Sequence, residues 1–334
     1  MREPPYAVEL KPYGRALVEV ARERPEVLCL GADLTRQTET DLFRDTLPDR
    51  FFNAGMAEAN AIGIAGGLAR AGHTVFFNTF GVFATRRCFD QIAMAVAYPR
   101  LNVKIVGFMP GLSSPGGPSH QAIDDVALMR ALPNMTVVDA ADAVETRAAV
   151  RAIADVPGPA YLRLKRGEIP VIFDADDHEF SLTRVRVLRP GSDVVIVASG
   201  MMLAASLTAA RTLEDRGLSV GVVNAPVIKP LDADGIVGAC RGARAVITAE
   251  NHSVLGGLGT AVAEALAETG IGVPLRRVGV QDRFAESGSR AYLFAKYGLD
   301  AATVVGHAWT VLEQPGPPPV PAELEVPAGT YAPI

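Results

Sequence analysis

Short, unbroken apolar runs alternate with helical patterns along most of this chain, and that alternation restricts its fold more than any other feature. In the first half the runs are Val27–Asp33, Phe51–Gly55, Thr74–Thr79, Val103–Phe108, Met135–Ala140 and Ala160–Leu164. Helical stretches over Tyr13–Arg24, Ala57–Ala71, Val82–Ala97 and Ala143–Ala154 surround and separate them. A strand that is apolar on both faces needs helices on both sides, so the pattern predicts a doubly wound parallel sheet. A charged segment carrying Pro170 then breaks the pattern and reads as a linker. The alternation restarts with Asp193–Ser199, Leu218–Asn224, Ala243–Glu250 and Pro274–Val280, with helices to Arg216 and over Asp232–Cys240 and Gly259–Thr269. The expected fold class is α/β, with two consecutive open parallel-sheet domains. Residues 1–167 form the first domain, 168–190 a linker, 191–314 the second domain and 315–334 a proline-rich tail.

Composition narrows what such a chain can do. Of its 334 residues 49% are hydrophobic and 21% charged, enough apolar surface for two real cores. A formal net charge of −5 argues against a nucleic-acid surface. Three widely spaced cysteines, Cys29, Cys88 and Cys240, offer neither an even disulfide set nor a metal-pair spacing, which fits a reduced, cytoplasmic setting. The N-terminus MREPPYAVEL has no apolar signal core, and charged residues or glycine break every apolar stretch before 18 residues, so no membrane span is expected.

Ligands of open α/β sheets collect at the carboxyl ends of the strands. Four segments fall there: Ala32–Leu34, Asn53–Glu58, Phe80–Arg86 and the long loop ending in Ser119-His120-Gln121. Glu58 stands near a helix start, where a carboxylate complements the helix dipole; it reads either as a helix-start residue or as an acid or base. Phe80 and Phe83, at spacing three, suit core packing or a stacking wall for a flat heterocycle. Arg86 lies on the same face, as an ion-pair partner or a ligand contact. His120 sits in a loop with Gly111, Gly116 and Gly117, long enough to suggest a task beyond connection. Asp124 and Asp125 read as helix starters. Gly63–Gly67 falls within a helical pattern and reads as tight packing. Gly256–Gly259 precedes a helix and offers an anion site, without the ending of a nucleotide loop.

Taken together, these segments resemble the transketolase family of thiamine-diphosphate enzymes. The matching stretches are Ala32–Leu34, Pro48–Ala69, Thr79–Ile92, Gly117–Ala143, Arg163–Arg166 and, in the second half, Thr248–Ala267. The resemblance implies a pyrimidine-binding domain followed by a C-terminal-domain-like fold. It implies that Glu58 is the carboxyl partner of the cofactor's aminopyrimidine, that Phe80 and Phe83 wall that ring, and that Asp33 and Arg86 stand on the cofactor side. By the same resemblance His120 contacts substrate oxygens near the reacting carbon, and Arg166 meets a substrate phosphate.

Three departures cluster on the sugar side. The family's Asp-Gly before the histidine is replaced within Gly116-Gly117-Pro118-Ser119-His120, a histidine before this loop by Met109, and a serine after the first strand by Gln37. They point to an unusual ketose donor. The resemblance also places the cofactor's diphosphate and Mg²⁺ on a Gly-Asp-Gly domain, and no Gly-Asp-Gly occurs in this sequence. The expectation is therefore the C-terminal subunit of a two-chain transketolase acting on sugar phosphates. A separate N-terminal subunit would hold diphosphate and metal in an α2β2 assembly, with no metal ligands on this chain. The beta subunit of a 2-oxoacid dehydrogenase, a 1-deoxyxylulose-5-phosphate-synthase-like enzyme and a non-catalytic partner-stabilising chain stay open beside it.

Overall fold

The computed structural model describes residues 1–322. Seven strands form the first sheet: β2 (Val27–Gly31), β3 (Phe51–Asn53), β4 (Thr74–Phe80), β5 (Val103–Phe108), β6 (Thr136–Asp139), β7 (Ala160–Leu164) and β12 (Val227–Lys229). A short antiparallel pair, β1 (Val8–Leu10) with β8 (Glu168–Pro170), lies outside it. Across the first sheet the order is β12-β6-β7-β5-β4-β2-β3. β2 to β7 run parallel, and β2, β4, β5 and β7 are buried along their whole length, as strands covered on both faces are. Their carboxyl ends therefore share one edge. β2 leads outward to β3, and the chain then crosses to β4 on the other side of β2. This reversal opens a crevice between the ends of β2 and β4.

The second sheet comprises β9 (Arg186–Arg189), β10 (Val194–Ala198), β11 (Val220–Asn224), β13 (Ala245–Ser253) and β14 (Leu275–Val280), in the order β14-β13-β10-β11-β9. Each sheet carries one antiparallel edge strand: β9 on β11, and β12 on β6. β8 and β9 both fall within the stretch expected as a linker. β12 lies in the second half of the sequence yet completes the first sheet. The halves are further joined by one apolar cluster that runs from Leu30 and Ile62 through Met129 to Val195, Val223 and Leu258.

The helix expected over Val82–Ala97 is broken. A helical turn over Gly81–Thr85 passes through a 3₁₀ turn at Arg86–Cys88 into a π-helical stretch at Ile92–Ala97. The Tyr98 amide donates to the Ala93 carbonyl, five residues back, at 2.8 Å. Gly63–Gly67 lies inside the helix Glu58–Arg70. A Cβ on Gly66 would stand 2.7 Å from the Ala95 carbonyl oxygen, so only glycine allows the two segments to meet. Gly256–Gly259 does open a helix, Leu258–Glu268, but its anion is internal. Glu250 accepts from the Leu258 and Gly259 amides at 2.7 and 2.8 Å. Two more helices are not marked by the strand–helix alternation: Ala301–Val311 packs on the second sheet, and Arg290–Tyr297 lies against the turn Gly111–Ser113 of the first half. Residues 323–334 of the expected tail lie outside the described residues. No described helix is long and apolar enough to cross a membrane.

Candidate active site

The carboxyl edge of the first sheet gathers most of the expected residues. Glu58 is the first residue of its helix and is only 4% exposed. Its Oε1 accepts from Arg87 Nη1 at 3.0 Å. The Arg87 guanidinium also lies 4.0 Å above the Phe83 ring. Phe83 stacks on Phe80 with centroids 6.0 Å apart, and meets His120 edge-on at 5.2 Å. Glu58, Arg87, Phe83, Phe80 and His120 thus form one continuous chain of contacts. Phe80 ends β4 and is buried, whereas Phe83 is half-buried and keeps part of its ring open.

Asp33 stands exposed just past β2, in a left-handed conformation with φ 104°. Partial desolvation and then the Glu58 charge raise its carboxyl pKa, against the pull of Arg87. Two carboxylates therefore face the same crevice from adjacent strands. Gln37 is half-buried in the loop that follows β2. Arg166 is half-buried two residues beyond β7. Beside it, burial and then the Arg290 charge lower the Lys165 ammonium to about 7. Met109 is buried, 3% exposed, and packs in the core rather than offering a polar group.

The His120 loop is shaped by its glycines and by the second domain. A Cβ on Gly116 would press to 2.9 Å from the His120 side chain, and Gly117 has φ +74°. Ser119 Oγ lies 2.9 Å from His120 Nδ1 and fixes the turn of the imidazole. Gln121 Nε2 donates to the Glu286 carbonyl at 3.0 Å, and the Gly288 amide to the Pro115 carbonyl at 3.3 Å. Arg86 also serves this loop. Its Nε donates to both Asp124 oxygens at 2.9 Å and its Nη1 reaches the Pro118 carbonyl. The arginine that contacts Glu58 is its neighbour Arg87, which no sequence pattern singles out. Consecutive residues of a helical turn point about 100–120° apart, so the two neighbouring arginines serve different sides.

Sequence reasoning also misses the fully buried Arg163. Its Nε and Nη2 donate to Asp125 at 2.8 and 3.1 Å, and Nη1 to Asp139 at 3.3 Å. Nη2 also reaches the Ala122 and Asn251 carbonyls. Tyr161 donates to Asp125, and Ser199 to Asp139. Asp125 is therefore more than a helix starter, because it ties the His120 loop to β7 and, through Arg163, to the second domain. Burial alone would raise its carboxyl, but the charge and hydrogen bonds of Arg163 overcome that and hold it low. Burial lowers the neighbouring His252 to about 4 and keeps it neutral near pH 7.

A helix-start carboxylate, an aromatic pair and a loop histidine gathered at the carboxyl edge of a parallel sheet make this an α/β protein of the open-sheet class, whose ligands bind at that edge. Comparison with known proteins states its kinship. The pyrimidine-binding domain model of transketolase matches residues 10–171, and the transketolase C-terminal domain model matches 183–304. The chain is 42% identical to a 6-deoxy-6-sulfo-D-fructose transketolase subunit from Clostridium sp. (strain MSTE9), across 90% of this chain and 94% of that protein. It is 34% identical to an apulose-4-phosphate transketolase subunit from Phocaeicola vulgatus, across 87% and 93%. A solved split-gene transketolase, described as an inactive beta4 tetramer, superposes with a TM-score of 0.83 at 45% identity, across 92% of this chain and 99% of that one. The chain belongs to the transketolase family.

Proposed function

We propose that this chain is the pyrimidine-binding subunit of a two-chain, thiamine-diphosphate-dependent transketolase. The reaction moves a two-carbon ketol unit from a ketose phosphate to an aldose phosphate. The observation that carries this reading is the buried Glu58 carboxylate, joined through Arg87 to the Phe80–Phe83 pair, in a chain of this family. The donor set fits an aminopyrimidine: a carboxylate for a ring nitrogen, a half-open aromatic face beside it, and a half-exposed Arg87 able to leave Glu58 Oε1. When bound, thiamine diphosphate supplies the nucleophilic carbon that carries the ketol unit.

Each residue of the chain has a part in this reading. Glu58 holds a proton at its carboxylate against the ring nitrogen. Phe80 and Phe83 bind and orient the ring. Asp33 flanks the cofactor from β2. His120, oriented by Ser119 and Phe83, donates to substrate oxygens. Arg166 and Gln37 meet the far end of the sugar, Arg166 as a fork on a phosphate or similar anion. Arg86 acts at one remove, by holding the His120 loop through Asp124 and Pro118.

The diphosphate and Mg²⁺ would be held by a separate N-terminal subunit, and two of each chain would form an α2β2 assembly. Relatives that are themselves transketolase subunits of similar length support this. So does a surface that invites cover. Met56, Met94 and Tyr98 are 78%, 60% and 77% exposed, on and beside the helix that Glu58 starts. On that helix Gly63 and Gly67 are exposed, and a Cβ at either would meet no other described residue within 4 Å, leaving room for close approach. The missing Asp before His120 and the buried Met109 support an unusual ketose donor. Relatives named for a sulfonated fructose and for apulose 4-phosphate point the same way.

Co-expression with a diphosphate-binding subunit tests the reading. The complex should transfer ketol units, and Glu58→Ala should lower turnover roughly 10²–10⁴-fold without changing the mass of the complex. Persistent turnover in that variant, or robust transfer by this chain alone, would overturn it.

A further inference from the structure

Among the described residues the second sheet ends on an unpaired edge, that of β14. Of the described strands, β14 pairs with β13 and with no other. The Pro274 and Val280 carbonyls accept from Val246 and Val254 on the β13 side. Alternation along the strand then turns the backbone of Leu275, Arg277 and Gly279 outward. Gln281 Nε2 covers the Gly279 carbonyl at 3.1 Å, and Arg276 Nη1 covers that of Leu275 at 3.3 Å. Among the described residues no acceptor meets the outward amides of Arg277 and Gly279.

Beside this edge lies a cavity of about 420 Å³, within the range of small-molecule sites. The strand itself forms one wall, and Tyr297, Thr303 and His307 form another. The lining contains Arg276, Arg277 and His307 and not one carboxylate. Neither arginine has an ion-pair partner among the described residues, and His307 adds a ring nitrogen that can donate. Arg277 spends one nitrogen on the Val254 carbonyl at 2.7 Å, while the Arg276 head stays exposed. Burial and the Arg276 charge both disfavour the protonated form of His307, which marks the cationic field in the cavity. A crevice with positive charge, free amides and no internal counter-ion is chemically complementary to a compact anion.

We propose that this cavity binds a small phosphorylated metabolite. Arg276 and His307 grip the phosphate, the amides of Arg277 and Gly279 complete its shell, and Val254 and Val278 face the carbon skeleton. None of the lining residues belongs to the first domain, so the site is separate from the Glu58 crevice and does not depend on the function proposed for it.

Calorimetric titration of the full chain with inorganic phosphate and with pyrophosphate, at matched ionic strength, tests this. The wild type should give a saturable isotherm. Arg276→Ser combined with His307→Ala should weaken it about tenfold or more, since both side-chain donors to the anion are lost. Arg276→Lys should keep part of the affinity. Arg166→Ala, in the other domain, should leave it in place. The proposal is overturned if the wild type shows no saturable binding of either anion. It is equally overturned if the double variant matches the wild type, or if Arg166→Ala removes the binding.

Discussion

Glu58 and Arg163 are both almost fully buried charges, yet they are used in opposite ways. Arg163 is saturated, with every arm engaged by carboxylates and carbonyls. Glu58 keeps one half-exposed partner, Arg87, which can give way. A group that must exchange partners belongs at the mouth of a crevice, and one that must not belongs in the core. His120 is of the first kind, with its imidazole set by Ser119 and Phe83. Ser119→Ala removes one hydrogen bond, about 1 kcal/mol, so kcat/KM for the ketose donor should fall about fivefold. Thiamine-diphosphate affinity should not change. Equal kcat/KM in steady-state assays of the two-chain enzyme would mean that Phe83 alone orients the ring.

The elements show where periodicity is a sufficient guide. β5 lies at Val103–Phe108, where the apolar run places it, because such a run between two helical patterns has one packing solution. It nevertheless contains Lys104, which is 1% exposed and donates to the Val156 and Gly158 carbonyls at 2.7 and 2.6 Å. Burial lowers its pKa to about 7. Between that value and the ordinary lysine value of about 10.4, the unfolded chain binds more protons than the folded one. Stability should therefore rise with pH across that window, through this residue. Lys104→Met should flatten the rise, seen as a smaller increase in urea midpoint from pH 7 to pH 9.5 than in the wild type. A parallel increase would show that Lys104 is charged in the fold throughout. The helix expected over Val82–Ala97 is less legible. Its apolar spacing fits an α-helix, but the packing of Ala95 against Gly66 and the wide turn at Tyr98 are long-range matters.

At the scale of the molecule, the two domains are less separate than their sequence pattern. β12 crosses into the first sheet, and Arg163 connects β7, the helix Asp125–Ala131 and Asn251 of β13. Removing one partner of such a network strands the others, at about 3–5 kcal/mol. Arg163→Met should lower the unfolding temperature of the whole chain in one transition by scanning calorimetry. Two separated transitions would mean that the domains are held together elsewhere. Asp125 adds a pH dependence of known sign. Its folded pKa is depressed, so its contribution is complete above about 3.9 and is lost as pH falls below that value through the folded pKa.

The sequence alone determined the α/β class, the order of the strands along the chain and the set of loops at the carboxyl edge. Those follow from local periodicity, and from the rule that doubly apolar strands are sandwiched by helices. It also marked Glu58, Phe80, Phe83 and His120, which the fold brings into one line of contacts through Arg87. The tertiary structure decided which of two adjacent arginines meets Glu58, that Glu250 fills the Gly256–Gly259 turn, and that Arg163 is buried between domains. It also decided that β12 belongs to the first sheet. Each of these depends on the direction of a side chain or the pairing of distant segments. Such choices are settled by desolvation and charge pairing across the core, which no local window of sequence contains.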